Sequence, residues 1–481
     1  MKLKYIIVLF LLMAMMPGCK PNHSAINDQT EDGNELEMWL TTTDQKNLFQ
    51  KQLINASEPI ETPSALVISI DSSIQFQPID GFGFTLTGGS ARLIHSMSEI
   101  AQTELLQQLF STSDENIGIS YLRISVGASD LSDSVFTYND LPLGETDVEL
   151  LQFSLAPELV HLIPVLKKIK SISPEVQIMG SPWSAPAWMK DNESLRGGSL
   201  RKEFFGVYAN YLAKYVKAME AQGLKIDALT IQNEPLHPGN NPSMFMSAQD
   251  QALFVKNNLG PVFEKEGIGT KIIIYDHNAD RIDYPISILN DADARKYIDG
   301  SAFHLYGGEV NDISIVHEAH PDKNLYFTEQ WIGGPANFEG DFTWHIENLM
   351  IGATRNWCRT VLEWNLAADP DYEPHTDQGG CTRCLGAITI DGDEVEMNPA
   401  YYIVAHASKF VRPGTVRIHS DWVPELPNVA FKTPNGEVVF IVLNKAKNRI
   451  AFQLKTGSRL FQTELETGAA ATYIIRSNTD N

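Results

Sequence analysis

The chain has 481 residues, of which 37 are basic and 60 acidic, so its formal net charge is −23 at pH 7. This length is more than one ordinary core needs, and it suits a barrel of about 250 residues with a smaller domain beside it. The negative charge argues against nucleic acid and other polyanions as partners, because like charges repel, and it favours a neutral substrate.

The first residues have the pattern of an export signal. Lys2 and Lys4 precede an apolar run over residues 5–16, which is too short for a membrane span and fits the core of a signal peptide. Gly18 and Cys19 resemble the end of a bacterial lipobox, in which the cysteine carries the lipid. We predict an exported protein of a Gram-negative bacterium, held by a lipid on Cys19 at the periplasmic or outer-membrane surface. Cleavage to a secreted protein is the alternative.

Three segments precede the main domain. The predicted signal peptide spans residues 1–19, and residues 20–34 are polar and without periodicity, which is typical of a flexible tether. Residues 35–79 contain two strand candidates, over 37–43 and 65–76.

Residues 80–398 alternate between strand and helix signals. Apolar side chains recur at helical spacing between the strands, for example over residues 203–222 and 248–266. The eight strand candidates are 81–87, 121–126, 177–183, 228–233, 271–276, 300–306, 325–329 and 360–365. Eight strand–helix repeats predict an α/β fold of the (β/α)8 TIM-barrel type.

Residues 399–481 change to short strands with alternating apolar side chains, separated by turn residues such as those at 434–436. The strand candidates are 416–420, 429–433, 438–443 and 471–475. We predict a C-terminal β-sandwich that also takes up the strands of residues 35–79, so that both ends of the chain build one side domain.

The four cysteines are too few for a disulfide framework. Cys381 and Cys384 leave three possibilities open, namely a local disulfide, a redox pair or half of a zinc site. No second pair and no histidine-rich stretch in the sequence completes a zinc site, and export favours the disulfide. The sequence predicts no metal and no cofactor, and it leaves the oligomeric state open.

Two glutamates end apolar runs that read as strands. Glu234 follows the run 228–233, and Glu329 closes the run 325–329. A carboxylate at the end of a buried strand is costly to desolvate, so its placement there twice indicates chemistry. Two carboxyls hydrolyse a glycoside, one by protonating the leaving oxygen and one by attacking the anomeric carbon. Either glutamate alone would read as a surface carboxylate in a loop.

Seven short motifs follow one another along the predicted barrel. They are Gly81-Phe-Gly83, Tyr121-Leu-Arg-Ile124, Ser181-Pro-Trp-Ser-Ala-Pro-Ala-Trp-Met-Lys190, Gln232-Asn-Glu-Pro235, Phe303-His-Leu-Tyr306, Thr328-Glu-Gln330 and Trp364-Asn-Leu366. In order and spacing this series resembles glycoside hydrolase family 30. The resemblance implies a barrel with a side β-sandwich and a retaining double displacement that needs no metal.

The resemblance also implies residue roles. Glu234 would be the acid/base and Glu329 the nucleophile, about 5 to 5.5 Å apart, in environments that separate their pKa values. Asn233 would donate to the nucleophile or to the sugar 2-hydroxyl. Arg123 would pair with Glu329 or Glu234 and keep the nucleophile ionised.

Four further side chains are candidates for substrate binding. Trp183 and Trp364 offer flat apolar faces to a pyranose ring, although each also fits a core tryptophan. Tyr306 is expected to hydrogen-bond the nucleophile. His304 binds substrate or is a satisfied core histidine.

One departure from the family pattern suggests the substrate. The glucosylceramide-cleaving branch carries Thr-Asp after its first strand, where the aspartate holds outer hydroxyls of a terminal glucose, but here Thr87 is followed by Gly88 and Gly89. The missing carboxylate would leave room for a second glucose at the 6-hydroxyl. The segment 375–384 also resembles the bacterial β-1,6-glucanase branch. The prediction is therefore an endo-β-1,6-glucanase acting on β-glucan polysaccharide or oligosaccharide.

Three other functions stay open from the sequence. The first is an exo-acting β-glucosidase of the glucosylceramidase type, and the second is an inactive surface lipoprotein that binds glycans. The third is a xylan-active enzyme, in which Arg196 or Arg201 would hold a glucuronate branch.

Overall fold

The computed structural model describes residues 36–54 and 66–476. The predicted signal peptide, the lipidation site Cys19 and the tether lie outside these residues. Within the described ranges, no helix is long and apolar enough to cross a membrane. Three strands precede the barrel, namely β1 (Leu36–Thr41), β2 (Gln50–Ile54) and β3 (Leu66–Pro78). The sequence did not predict β2, because its polar start shows no apolar alternation.

Eight parallel strands close a barrel in the order β10-β11-β4-β5-β6-β7-β8-β9. They are β4 (Gly81–Thr85), β5 (Tyr121–Val126), β6 (Gln177–Pro182), β7 (Ala228–Thr230), β8 (Lys271–Asn278), β9 (Ile298–His304), β10 (Asn324–Glu329) and β11 (Cys358–Asn365). The predicted TIM barrel is confirmed. Tyr121, Met179 and Tyr326 belong to a separate buried cluster to which seven of the barrel strands contribute one side chain each, as expected for a barrel whose interior is packed with side chains.

Helices cover the outside of the barrel. They are α1 (Gly88–Ser96), α2 (Glu99–Phe110), α3 (Leu162–Ile172), α4 (Phe205–Ala221), α5 (Ala248–Phe254), α6 (Gly260–Glu266), α7 (Asp283–Leu289), α8 (Ala292–Arg295), α9 (Ile313–Ala319), α10 (Phe338–His345) and α11 (Pro399–Ser408). A π-helical turn at Val255–Leu259 joins α5 to α6, and another at Ile346–Ala353 extends α10. The aromatic side chains of α4 are buried in the core.

The remaining strands form two sheets. A small one contains β12 (Ala367–Ala368), β13 (Ile388–Asp391) and β14 (Glu394–Met397). The other strands are β15 (Val416–Ser420), β16 (Asn428–Lys432), β17 (Val438–Leu443), β18 (Ile450–Thr456), β19 (Arg459–Leu465) and β20 (Ala470–Ile475). They join β1, β2 and β3 in one sheet of nine strands, ordered β19-β18-β3-β15-β16-β17-β20-β1-β2. The side domain is thus built from both ends of the chain, as predicted.

Strand β17 shows how this domain is attached. Phe440 and Val442 lie in the core of the side domain, whereas Val439 and Ile441 belong to the large core shared with the barrel. Because side chains alternate between the two faces of a strand, an entirely apolar strand fits a position that is buried on both sides.

The predicted change to strands at Pro399 is wrong for the first ten residues, which form α11. This helix is buried against β4 and α10, so it belongs with the barrel. Its sequence begins with Pro at the first helical position, where the missing N–H costs nothing. Strands β18 and β19 were not predicted, because polar side chains such as Gln453 and Gln462 interrupt their apolar pattern.

Candidate active site

Glu234 and Glu329 face each other at the carboxyl ends of the barrel strands. Glu329 is the last residue of β10, and Glu234 lies in the loop after β7. They are only 6–7% exposed, and one carboxylate oxygen of each lies within 4.8 Å of the other. Glu234 has φ 44° and donates its N–H to the carbonyl of Asp276 at 2.9 Å. A left-handed non-glycine residue is unfavourable and concentrates at functional sites.

Arg123 of β5 is fully buried beneath the glutamates. Its Nη1 donates to Oε2 of Glu329 at 2.6 Å, and its Nη2 donates to Oδ1 of Asn233 at 2.6 Å. The guanidinium carbon lies 4.8 Å from the ring centre of Trp183. The arginine therefore holds Glu329 in place, and Asn233 accepts a hydrogen bond through its oxygen, which leaves its NH2 group to donate.

Asp276 is the buried anchor of the site, and sequence reasoning did not identify it. Its carboxylate forms an ion pair of 2.8 Å with Arg123, both side chains being fully buried. Further hydrogen bonds come from the hydroxyls of Ser181, Thr230 and Thr328. Burial alone would raise its pKa, but the Arg123 charge and these donors hold the pKa of Asp276 far below its usual range.

His304 connects the three carboxylates. Its Nδ1 lies 3.3 Å from Oε1 of Glu234 and 3.7 Å from Oε1 of Glu329, and its Nε2 lies 3.1 Å from Oδ1 of Asp276. Burial lowers the pKa of His304, but the surrounding carboxylates outweigh it and raise the pKa to about 9. The ring is thus charged at neutral pH, and both of its nitrogens donate.

The positive charge of His304 also affects whether the site can bind a metal. Glu234, His304 and Glu329 are the one group of potential metal ligands found in the described part of the chain. A metal needs the lone pair of a neutral imidazole, whereas a protonated ring offers none. The geometry of these three side chains therefore fits hydrogen bonds from His304 to the glutamates.

The pKa values of the glutamates shift in directions opposite to the expected ones. Burial raises the pKa of Glu329 above its ordinary value, against the charges of His304 and Arg123. Burial acts likewise on Glu234, but the hydrogen bond and charge of His304 bring the pKa of Glu234 below its ordinary value. Sequence could not give this result, because it depends on His304 lying nearer to Glu234.

Each glutamate has one further donor. The hydroxyl of Tyr306 donates to Oε1 of Glu329 at 3.0 Å, as the sequence had suggested. The side-chain amide of Asn240 donates to Oε2 of Glu234 at 3.1 Å. Both donors stand at the open side of the carboxylates, where a substrate would approach.

A cavity of about 340 Å³ opens above the glutamates. It is lined by Asp130, Trp183, Glu234, His237, Asn240, His277, Asn278, Tyr306, Glu329, Trp331, Trp364, Cys381 and Cys384. The ring centres of Trp183 and Trp364 are 5.6 Å apart, and the two rings form the apolar part of the wall. A larger cavity of about 610 Å³ contains neither glutamate, so size alone would misplace the site.

A disulfide forms part of the cavity wall. The sulfur atoms of Cys381 and Cys384 are bonded to each other, and both residues pack with Trp183 and Trp364. The backbone N–H of Cys381 donates to the carboxyl of Asp130. Burial, with the charges of the two glutamates, raises the pKa of Asp130 to about 8, so this carboxyl holds a proton at neutral pH.

The surroundings of Gly89 are more crowded than those of Gly88. A Cβ on Gly89 would lie 2.5 Å from Cγ of Pro374 and 2.8 Å from the carbonyl oxygen of Leu131, and one on Gly88 would lie 3.0 Å from Oγ of Ser132. Neither glycine lines the cavity with the glutamates. The aspartate of the glucosylceramide-cleaving branch directly follows the threonine and so corresponds to Gly88, whereas Pro374 fills the space beside Gly89. The room expected for a second glucose therefore stays a prediction.

The structure divides the predicted substrate-binding residues into two groups. Trp183, Tyr306 and Trp364 line the cavity. Arg123, Asn233 and His304 lie beneath the glutamates and act on them or on each other instead. Sequence reasoning missed Asp130, Asp276 and His277. Their one signal was position, since each lies at or just beyond the end of a barrel strand.

Comparison with known proteins matches this architecture. The model of the glycosyl hydrolase family 30 TIM-barrel domain matches residues 79–411, which include α11. The model of the glycosyl hydrolase family 30 beta sandwich domain matches residues 414–473. Together they cover most of the described chain.

Individual relatives agree with the family models. An endo-1,6-beta-D-glucanase, neg1, of Aspergillus fumigatus is 31% identical over 427 residues, which are 83% of this chain and 85% of that protein. The lysosomal acid glucosylceramidase of Mus musculus is 27% identical over 457 residues, 88% and 86% of the two chains. The solved structure of the endo-beta1,6-glucanase BT3312 gives a TM-score of 0.86 at 31% identity, over 92% of this chain and 100% of that one. The chain therefore belongs to glycoside hydrolase family 30.

Proposed function

We propose that the protein is a retaining endo-β-1,6-glucanase, with Glu329 as nucleophile and Glu234 as acid/base. The observation that carries the substrate is the 31–32% identity to three fungal endo-1,6-β-D-glucanases over at least 80% of this chain. Glucosylceramidases match over a similar length at 27–28%. The glycosidase chemistry itself follows from family membership.

The spacing of the glutamates supports the retaining course. Carboxyl groups about 5 to 5.5 Å apart are typical of retaining enzymes, whereas inverting enzymes need about 6.5 to 9.5 Å to admit a water molecule. Oxygens within 4.8 Å of each other match the first class. Glu329 is then placed to attack the anomeric carbon directly.

In the first step Glu329 attacks the anomeric carbon while Glu234 gives its proton to the glycosidic oxygen. The bond between sugar and leaving group breaks, and a glycosyl ester forms on Glu329. Arg123 and Tyr306 hold one oxygen each of this carboxylate, which fixes its orientation for attack. The leaving glucan departs as a neutral alcohol.

In the second step water replaces the departed glucan. Glu234, now ionised, takes a proton from this water as the water oxygen attacks the anomeric carbon and the ester bond breaks. The product keeps the original configuration, and Glu329 and Glu234 return to their starting states. No redox partner or cofactor enters this balance.

The buried charges bear on these roles, and the pKa shifts described above, upward for Glu329 and downward for Glu234, favour the opposite protonation before substrate binds. Three carboxylates, Asp276, Glu234 and Glu329, face two cations, Arg123 and His304. One added proton makes the cluster neutral, and the proposed mechanism needs that proton on Glu234. As the ester forms, the negative charge of Glu329 disappears, which lowers the pKa of Glu234 and prepares it to act as a base.

Product analysis on linear β-1,6-glucan tests the proposal. We expect short β-1,6-linked oligosaccharides from the wild-type protein, and none from Glu329→Gln, which keeps the size of the side chain but removes the nucleophile. Glucose as the sole product would indicate an exo-acting β-glucosidase. Cleavage of glucosylceramide without cleavage of β-1,6-glucan would refute the substrate assignment.

The contacts give less support to the other functions. A glycan-binding protein without activity has no use for two buried carboxylates held by Arg123 and His304, because burying them costs free energy. A xylan-active enzyme would need a free cation in the cavity. Arg196 and Arg201 instead donate to backbone carbonyls, and neither lines the cavity.

We also propose that the protein is exported and lipid-anchored at Cys19 in the envelope of a Gram-negative bacterium. The support is the sequence pattern, in which Lys2, Lys4 and an apolar run precede Gly18 and Cys19. Mass spectrometry of the protein from a membrane fraction would show a lipidated N-terminal cysteine. A soluble product with an unmodified N-terminus would refute the anchor.

A further inference from the structure

His277 lines the active-site cavity without a side-chain hydrogen bond among the described residues, and its Nε2, unlike its fully buried Nδ1, is left to face a ligand. The residue is 7% exposed and lines the cavity together with the two glutamates. Its Nδ1 is buried without a hydrogen-bond partner among the described residues. Its Nε2 lies 3.9 Å from Oε1 of Glu234, beyond hydrogen-bond reach. Buried polar atoms are nearly always satisfied, so an unsatisfied one at a cavity wall indicates a ligand group.

The backbone places His277 at this position through a strained bulge. Tyr275 and Asp276 have φ of 73° and 68°, in the left-handed region that side chains disfavour. The pairing of β8 with β9 shifts register between Tyr275 and His277. In a regular strand, neighbouring side chains point to opposite faces, so only one of two neighbours would point into the barrel. Here both do, since Asp276 pairs with Arg123 and His277 lines the cavity. Strain of this kind concentrates at functional sites.

His277 lies on the side of the cavity next to Glu234. The polar side chains of His237, Asn240 and Asn278 line the same cavity. Trp364 is on β11, three strands from β8 around the barrel, and Trp183 directly follows β6, next to the strand that precedes Glu234. Glu234 is the proposed proton donor to the leaving oxygen, so the sugar on the leaving-group side would pass next to Glu234, where His277 also lines the cavity.

The ring of His277 is uncharged at neutral pH. Burial lowers its pKa to about 4, with the charge of Glu234 opposing the shift and that of His304 adding to it. A neutral imidazole has one N–H donor and one acceptor nitrogen, so it can bond a sugar hydroxyl in either direction.

We propose that His277 binds a hydroxyl of the glucosyl unit on the leaving-group side of the scissile bond and so positions the glucan for protonation by Glu234. This inference rests on the proposed function. It adds a substrate-positioning residue that neither the motif series nor the paired carboxylates reveal.

The test compares two substrates that differ only in the leaving group. One is a β-1,6-linked glucotetraose, and the other is an aryl β-glycoside of β-1,6-linked glucobiose, which has no sugar on the leaving side. For His277→Ala we expect kcat/KM on the tetrasaccharide to fall about 10- to 100-fold, and kcat/KM on the aryl glycoside to change by less than about twofold. His277→Gln carries an amide near the place of Nε2 and should recover part of the loss.

Three results would overturn the inference. The first is an equal loss on both substrates, which would mean that His277 is structural. The second is an unchanged tetrasaccharide rate, and the third is a displaced pH profile on the aryl glycoside, which would mean that the ring acts on the pKa of Glu234. Thermal unfolding of each variant identifies misfolding separately. If the proposed function itself is wrong, the wild-type protein will not cleave β-1,6-glucan.

Discussion

Arg123 and Asp276 form an ion pair of 2.8 Å in which both side chains are completely buried. Each partner also holds one half of the catalytic machinery. Arg123 donates to Glu329, and Asp276 accepts from His304, whose other nitrogen contacts Glu234. One ion pair therefore sets the relative position of the two glutamates, although neither of its members lines the cavity.

Replacement of Asp276 by asparagine should damage both stability and activity. Loss of one partner leaves Arg123 buried without its full countercharge, which costs about 3–5 kcal/mol in the free energy of unfolding. We also expect kcat on β-1,6-glucan to fall about 100-fold, because misplacement of a reacting group by about 1 Å has an effect of that size. Chemical denaturation and steady-state kinetics measure the two quantities. Asp283→Asn is the matched control, since Asp283 pairs with Arg281 at the surface, and equal stability losses in both variants would contradict this account.

The stereochemistry of azide rescue should distinguish the two glutamates. Glu234→Ala lacks the acid, so glucan cleavage should fall about 10²- to 10⁴-fold, while an aryl glycoside with a good leaving group still forms the glycosyl ester. Azide should then attack this ester and give a β-glycosyl azide. In Glu329→Ala, azide takes the place of the nucleophile and should give the α-glycosyl azide. NMR of the products decides the assignment, and the reverse pattern would exchange the two roles.

Stability should fall above neutral pH because of His304. In the folded protein the pKa of His304 is about 9, above the ordinary histidine value near 6.5. The stabilisation from the charged ring is therefore complete below about pH 6.5 and is lost as pH rises through 9. A shift of this size corresponds to about 3 kcal/mol. Thermal unfolding between pH 6 and 10 should show the loss, and His304→Gln should show less of it. An unchanged slope in the variant would assign the loss to other groups, such as Asp130.

A methyl group at Gly89 should displace the disulfide-bearing loop. The added Cβ would lie 2.5 Å from Cγ of Pro374 and 2.8 Å from the carbonyl of Leu131, so Gly89→Ala should cost about 1–3 kcal/mol in the free energy of unfolding and should raise KM for the glucan. The neighbouring Gly88→Ala is a matched control, because its nearest contact is the hydroxyl of Ser132 at 3.0 Å. A KM that responds equally to both substitutions would contradict a role for the loop.

Local pattern was sufficient to predict the barrel. All eight barrel strands overlap their predicted segments, because a parallel strand buried on both faces is a continuous apolar run with polar residues at its end. Glu234 and Glu329 were visible for the same reason, as carboxylates where such runs stop. The signal in each case lies within a few consecutive residues.

Features that depend on distant residues were not predictable in this way. Asp276 is separated from Arg123 by 153 positions, so nothing in its own segment marks it as the countercharge. His277 reaches the cavity because a bulge shifts the register of β8, and the alternation of apolar and polar residues along the sequence does not reveal this bulge. The filling of the space beside Gly89 depends on a loop that arrives nearly three hundred residues later.

The nine-stranded sheet ties folding to the completion of the chain. Strand β1 pairs along its whole length with β20, so on this side it meets its partner only after more than four hundred intervening residues have been made, whereas its other edge pairs with the nearby β2. Until then β1 has an open edge, and open edges invite pairing with other chains. A chain that stops short of β20 would contain both glutamates of the cavity and still lack the strand that joins β1 to β17. Completion of this sheet therefore depends on strands from both ends of the described chain.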